Sequence, residues 1–186
     1  NQNKMATYSL NKQNIFLPAT NGETIVLSFT VNSGRIAYRD KINTIIGIKH
    51  PGIELGVDQF GYRWFVHHHY KNVKPSIERE DAFSMGVLII YDNRPVLYNK
   101  YEIVERALNA WWFGNEYNWL WQNCQHFVSR VTNNKHESET LDRVADNLIG
   151  GGLLAGAAAA AGGKKELAQA ALITAGIGGL IKLFSK

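Results

Sequence analysis

The chain has 186 residues, of which 45% are hydrophobic and 19% charged, and its net charge is +4. This composition excludes a disordered polar polymer, and the length allows one domain with a core plus an appendage. Because lysine and arginine are scattered along the chain, the sequence predicts no nucleic-acid partner. The single cysteine excludes an internal disulfide and any metal site built on several cysteines, and it favours a reducing, cytoplasmic location.

Four runs in the first half of the chain are rich in β-branched and aromatic residues, as is typical of strands. Asn, Gly, Asp and Pro residues separate them, so they predict an antiparallel sheet. A hairpin turn is predicted at residues 58–61, between the second and third runs. The four predicted strands cover residues 24–31, 43–57, 61–70 and 83–91.

A helix is predicted directly after these strands, in the segment "NKYEIVERALNAWWFG". Asn99 can cap its start, and Glu102 lies where a capping box requires an acidic residue. Apolar residues recur at helical spacing until Gly114, which ends the helix. The sheet and this helix together predict the α+β class.

A second helix is predicted to begin around Cys124, with Gln122 or Asn123 as its N-cap. Cys124 then lies in the first turn, where the exposed amides and the positive end of the helix dipole stabilise a thiolate. A cysteine in an aromatic-rich segment is also a common small core residue. From its position alone, Cys124 is either a nucleophile or core filling.

A nucleophilic cysteine needs a base, and the chain has six histidines. His50 lies on one predicted strand and residues 67–69 on its neighbour. Because side chains alternate along a strand, His67 and His69 share one face and His68 takes the other. Cross-strand pairing can then place two imidazoles side by side, one as the base and one orienting it. The triplet can equally be a solvated strand end, and three consecutive strand histidines cannot all bind one metal ion.

The composition changes near Asn147, after which Gly, Ala, Leu and Ile dominate. The sequence therefore predicts two units: a globular domain over residues 1–146, which contains Cys124 and His50, and an Ala/Gly-rich, apolar helical hairpin over 147–186. Each arm is close to, but shorter than, the ~20 residues that span a bilayer. Small residues at helical spacing allow close helix contact. Membrane association, self-association and packing on its own domain all remain open for this tail.

Three segments resemble the boxes of one enzyme family. "QNCQHFV" is similar to the NC-box "NCEHFV" of the lecithin:retinol acyltransferase-like family, which includes small phospholipase A/acyltransferases and the H-box/NC proteins of some picornaviruses. "KHPGIELG" resembles its H-box "HWAIYVG", and "RWFVHHH" resembles the following strand. The order of the segments also matches the family, and the similarity extends over residues 45–131. Gln125 stands where the family usually has glutamate, and Pro51 and Gly52 stand where it has aromatic and small residues.

The resemblance implies a permuted papain-like fold of the NlpC type, with an antiparallel sheet packed against helices. It implies that Cys124 is the nucleophile, His50 the base and His67 the imidazole that orients His50. Because the hairpin between the histidines is longer than in the family, His68 is the alternative third group. The implied reaction is acyl transfer on glycerophospholipids through a Cys124 thioester, without a metal or cofactor. Its partner is a phospholipid or a membrane surface, which the protein contacts peripherally or through a tail anchor.

Two other classes of function remain open from the sequence. The first is a catalytically silent interaction protein whose tail acts on membranes or host factors. The second is a thiol peptidase or amidase, because the wider fold class cleaves amides. An unreactive Cys124 would favour the first, and a polar cleft at Cys124 would favour the second.

Overall fold

The computed structural model describes residues 8–19, 21–40, 49–68, 74–114, 124–135, 139–161 and 165–184. Within these residues the chain is α+β, with eight strands and five helices, which confirms the predicted class. The strands are β1 (Ser9–Leu10), β2 (Asn14–Pro18), β3 (Thr24–Ser28), β4 (Ile36–Asp40), β5 (Lys49–Val57), β6 (Arg63–His67), β7 (Ser76–Arg79) and β8 (Ile89–Tyr91). The helices are α1 (Glu80–Ser84), α2 (Lys100–Phe113), α3 (Cys124–Asn133), α4 (Glu139–Ala161) and α5 (Lys165–Phe184).

The strands form one sheet in which every pair is antiparallel, as predicted. The long strand β5 is its centre, because β5 pairs with β3, β4 and β6. Strands β6 and β7 continue the sheet in one direction. On the other side the order runs through β4 to β8 and through β3 to β2 and β1. Near the start of β5, His50 pairs with Arg39 of β4, and the pairing of β5 with β6 begins three residues later at Ile53.

In β5, apolar residues alternate with polar and small ones, so the two sets point to opposite faces of the sheet. Both faces are covered by other parts of the chain. Ile53 and Leu55 belong to the main core with residues of α2 and α3, including Phe127 and Val131. A smaller cluster on the other face consists of Ala37, Phe65 and Phe83. His50 follows the alternation of this second face.

The turn between β5 and β6 falls at the predicted position. The Oδ1 atom of Asp58 accepts hydrogen bonds from the backbone N–H groups of Phe60 and Tyr62 at 2.9 and 3.0 Å. Its Oδ2 atom accepts from the indole N–H of Trp64 at 2.9 Å. Gly61 has φ +85°, a conformation that glycine adopts without strain. This carboxylate holds the hairpin that brings β6 back beside β5.

One predicted strand is partly wrong. Residues 83–91 were expected to be extended, but Phe83 lies in α1 and only Ile89–Tyr91 form a strand. Helix α1 ends where Met85 and Gly86 adopt positive φ values of 51° and 80°. Such left-handed residues turn the chain and end a helix. Within the predicted strand, only the residues that follow this turn, Ile89–Tyr91, are extended.

Helices α2 and α3 have the predicted starts. The Asn99 side chain accepts hydrogen bonds from the N–H groups of Tyr101 and Glu102, and the Glu102 carboxylate accepts one from the N–H of Asn99. This is the predicted capping box, and Gly114 is the C-cap. Helix α3 begins at Cys124. Its expected caps, Gln122 and Asn123, lie outside the described residues.

Helices α4 and α5 pack against each other in antiparallel directions. Gly152 of α4 lies against Ala171 and Ala175 of α5, and Gly178 of α5 lies against Ala145 and Ile149 of α4. Helix α4 begins at Glu139 and therefore crosses the compositional boundary near Asn147. In the described part of the chain no helix combines the length and apolar character needed to cross a bilayer.

The contact between α4 and α5 predicts opposite effects of the same substitution at two adjacent glycines. A Cβ added at Gly152 would lie 2.6 Å from the carbonyl oxygen of Ala171, whereas one added at Gly151 meets nothing within 4 Å. We expect Gly152→Ala to lower the free energy of unfolding by about 1–3 kcal/mol through overpacking. Gly151→Ala should raise it by up to about 1 kcal/mol, because alanine favours helix. Thermal unfolding followed by circular dichroism checks both, and changes of equal sign would contradict the close contact.

Candidate active site

The imidazoles of His50 and His67 form a buried pair on the face of the sheet covered by α1. Nε2 of His50 lies 2.8 Å from Nδ1 of His67. The rings meet edge to face with centroids 4.9 Å apart, and the residues are 3% and 0% exposed. A hydrogen bond at this distance, shielded from water, fixes the relative orientation of both rings. The structure therefore brings together the two histidines that the family resemblance implied as base and orienting group.

Phe83 of α1 covers this pair. Its ring centroid lies 5.2 Å from that of His67 and 6.0 Å from that of His50, and it stacks on Phe65 at 4.5 Å. The space for Phe83 exists because residue 52 is glycine: a Cβ there would lie 2.8 Å from the Phe83 ring. Gly52 thus permits the apolar cover that excludes water from the imidazoles. Pro51 and Gly52 both pair in register with β4.

Behind His67 lies a carboxylate. Oε2 of Glu78 is 3.1 Å from Nε2 of His67. The hydroxyl of Ser76 lies 3.5 Å from the same nitrogen and donates to Oε1 of Glu78 at 3.3 Å. Both residues belong to β7, where Ser76 is the register partner of His67 and Glu78 that of Phe65. The second ring nitrogen of His67 therefore faces an acceptor.

On the other side of His50 lies a buried cation. Arg39 of β4 is the register partner of His50, and its guanidinium lies 5.6 Å from the Phe83 ring centroid. Arg39 is 6% exposed, and its Nε has no hydrogen-bond partner among the described residues. Burial lowers the pKa of Arg39, while the charges of Glu78 and Cys124 raise it. Arg39 therefore lies beside His50 on the face of the sheet that Phe83 covers.

Cys124 is the first residue of α3 and is 6% exposed. Helix α3 packs on β5 and β6, with Phe127, Val128 and Val131 in the main core. This packing fixes the end of α3 that carries the thiol, and the helix start provides backbone N–H groups and a positive dipole end there.

The remaining histidines lie elsewhere. His68 is buried, with its ring 6.4 Å from that of Phe127 at 74°, so it lies on the main-core side of the sheet and not beside His50. His126 is buried on α3. His69 and His136 lie outside the described residues. In the described part of the chain no three His, Cys, Asp or Glu side chains are arranged to hold a metal ion.

A pocket of about 170 Å³ lies along α3, where its lining extends from Gln125 to Asn133. Its polar lining includes Tyr38, Arg94 and Gln125, and Pro51 contributes apolar surface. The Arg94 guanidinium donates to the hydroxyl of Tyr38 at 2.7 Å and also pairs with Asp92. Burial raises the pKa of Tyr38 to about 12, so its hydroxyl remains protonated at neutral pH. Tyr38 and Pro51 are the strand neighbours of Arg39 and His50, so their side chains point to the opposite face of the sheet.

Sequence reasoning missed Arg39, Ser76 and Glu78. Each lies in the same row as the histidines only because of the register between β4, β5, β6 and β7. Neither β4 nor β7 was predicted as a strand. The alternating residues of "SIER" were a usable signal, because Ser76 and Glu78 share one face of an extended segment.

No protein-family model matches this sequence, and no curated protein matches it significantly.

Proposed function

We propose that this chain is a thiol-dependent acyl-transfer enzyme that acts on glycerophospholipids, with a permuted papain-like fold of the NlpC type. Cys124 is the nucleophile, His50 the base and His67 the group that orients His50. The observation that carries the proposal is the buried hydrogen bond between His50 and His67. A buried, oriented imidazole is what a cysteine nucleophile requires as its base.

In the proposed reaction His50 takes the thiol proton, and the Cys124 sulfur attacks an ester carbonyl carbon of the phospholipid. Backbone N–H groups at the start of α3 stabilise the oxyanion. The tetrahedral intermediate collapses to a thioester, and His50 returns the proton to the lysolipid oxygen that leaves. Water gives a free fatty acid, whereas an amine or alcohol gives an acylated product; either step restores the thiol.

The surface of the two C-terminal helices supports a lipid substrate. Seven large apolar side chains are between 49% and 76% exposed there. They are Leu153, Leu154, Leu167, Leu172, Ile173, Ile177 and Leu180. Exposed apolar surface of this kind is typical of proteins that contact membranes or other proteins. We propose that this surface contacts the membrane peripherally, so that lipid and thiol are held near each other.

The test is incubation of the intact chain with phosphatidylcholine vesicles, followed by intact mass spectrometry and measurement of released fatty acid. The matched control is the same chain after its only thiol has been alkylated with iodoacetamide. We expect an added mass of one fatty-acyl group and fatty-acid release, both absent after alkylation. A thiol that reacts with iodoacetamide but gives neither product would contradict the proposal.

One observation favours a second candidate, a catalytically silent interaction protein. Cys124 is 6% exposed, and a buried thiol is typical of a structural residue. On this alternative the sheet is a scaffold and the exposed side chains of α4 and α5 carry the activity. A thiol that resists iodoacetamide in the folded chain, with vesicle binding retained, would support it.

A further inference from the structure

Glu78 terminates a line of groups that begins at His50. The line runs from Nε2 of His50 to Nδ1 of His67 over 2.8 Å, and from Nε2 of His67 to Oε2 of Glu78 over 3.1 Å. The three residues come from the adjacent strands β5, β6 and β7. Both ring nitrogens of His67 are therefore engaged, one by an imidazole and one by a carboxylate.

The two ends of this line are not equivalent, because an ionised carboxylate only accepts hydrogen bonds. A neutral imidazole carries one proton, so His67 must hold it on Nε2 to donate to Glu78. Nδ1 of His67 is then an acceptor, and His50 must donate to it from Nε2. His50 consequently has its proton on Nε2, and its Nδ1 is the unprotonated nitrogen.

We propose that Glu78 is a positioning residue that fixes the tautomers of both imidazoles and thereby makes Nδ1 of His50 the proton-accepting atom. The inference rests on the proposed function in one respect, namely that His50 is the base for Cys124. Without the carboxylate, the hydrogen bond between the two imidazoles can equally well run in the opposite direction, from Nδ1 of His67 to Nε2 of His50. In that arrangement Nδ1 of His50 carries the proton and cannot take one from the thiol.

The surroundings of Glu78 suit this role. Its register partner is Phe65, two residues from His67 on the same face, a diagonal separation that a glutamate side chain spans. Its side chain is 29% exposed, and Ser76 donates to its other oxygen. The charge of Glu78 raises the pKa of the buried Arg39. Ser76 and His67 thus orient the two carboxylate oxygens of Glu78.

The test reads the tautomers directly. Long-range ¹H–¹⁵N correlation spectra of ¹⁵N-histidine-labelled protein separate protonated from unprotonated ring nitrogens. The spectra are recorded near pH 8, above the usual imidazole pKa of about 6.5. Signals are assigned by their loss in His50→Gln and His67→Gln. We expect both rings of the wild type to carry their proton on Nε2. In Glu78→Gln, whose amide can donate or accept, we expect His67 to show a mixture of tautomers.

Activity on phosphatidylcholine vesicles provides a second readout. Glu78→Gln should lower kcat about 10- to 100-fold, the usual effect of removing a group that orients a functional histidine, with KM unchanged. Glu78→Asp keeps the charge and should recover part of the loss. The matched control is Glu80→Gln, the same change at a carboxylate that pairs with Arg63. It should alter neither the tautomers nor kcat.

The possible results separate the inference from the proposed function. A wild-type proton on Nδ1 of His67, or unchanged tautomers in Glu78→Gln, would overturn the role of Glu78 whatever the activity. A different result is that the tautomers are as expected and depend on Glu78, but the protein has no acyl-transfer activity. That result would sustain the tautomer assignment and overturn the proposed function. Equal losses in Glu78→Gln and Glu80→Gln would also overturn the inference, because they would indicate a general structural effect.

Discussion

Cys124→Ala is expected to abolish both the fatty-acyl adduct and fatty-acid release, with a loss in kcat of ~10⁴-fold or more, as for other essential nucleophiles. The physical reason is that the proposed reaction forms a covalent bond to this sulfur, the only thiol in the chain. Released fatty acid is measured with phosphatidylcholine vesicles, and the adduct by intact mass.

The control for packing is Cys124→Ser, which keeps the size of the side chain closely. A serine hydroxyl is a far weaker nucleophile at neutral pH than a thiolate, so this variant should be nearly as inactive as the alanine variant. Circular dichroism should show both variants folded. Activity above a tenth of the wild-type rate in folded Cys124→Ala would rule out the thioester and transfer attention to α4 and α5.

His50→Gln is expected to lower the rate of thioester formation by about 10²- to 10⁴-fold, the typical contribution of a general base. Glutamine fills much of the same space beside Phe83 but cannot take the thiol proton. His67→Gln should have a smaller effect, because His67 orients the base and does not contact the thiol in the proposed mechanism. The rates are measured by quenched intact mass spectrometry in the first turnover.

The matched control is His68→Gln, the same change at a buried histidine that lies beside Phe127 on the other side of the sheet. It should leave the rate of thioester formation within a few-fold of the wild type, even if it lowers the melting temperature. A loss in His68→Gln as large as in His50→Gln would contradict the assignment of His67 as the third group. That result would restore the alternative based on the longer hairpin.

Local signals predicted the parts of the site that depend on one or two neighbouring elements. Strand alternation predicted that His67 and His69 share one face and His68 takes the other, whereas the choice of His67 as the partner of His50 came from the family resemblance. The capping box at Asn99 and Glu102 predicted the start of α2, and the helix start at Cys124 was predicted from its apolar spacing. These features depend on contacts within a few residues.

The parts that were missed depend on register between strands far apart in the chain. Arg39 faces His50 because β4 and β5 pair at that position, and Glu78 reaches His67 because β6 and β7 pair two residues away. A one-residue shift in either pairing would turn these charges to the opposite face. Phe83 was misassigned because its segment is apolar throughout, and only the turn at Met85 and Gly86 separates helix from strand.

Strand β7 has fewer hydrogen-bonded neighbouring strands than β5 and β6, which carry the imidazoles. Strand β5 has three partner strands and β6 has two, whereas β7 pairs only with β6 within the residues described. Edge elements open at lower free energies than interior ones, so the amides of β7 should exchange with deuterium sooner than those of β5. Partly open forms of the protein would then retain the imidazole pair but lose its carboxylate. On the proposed role of Glu78, the protonation pattern of His50 would depend on the local stability of one four-residue strand and not on that of the whole fold.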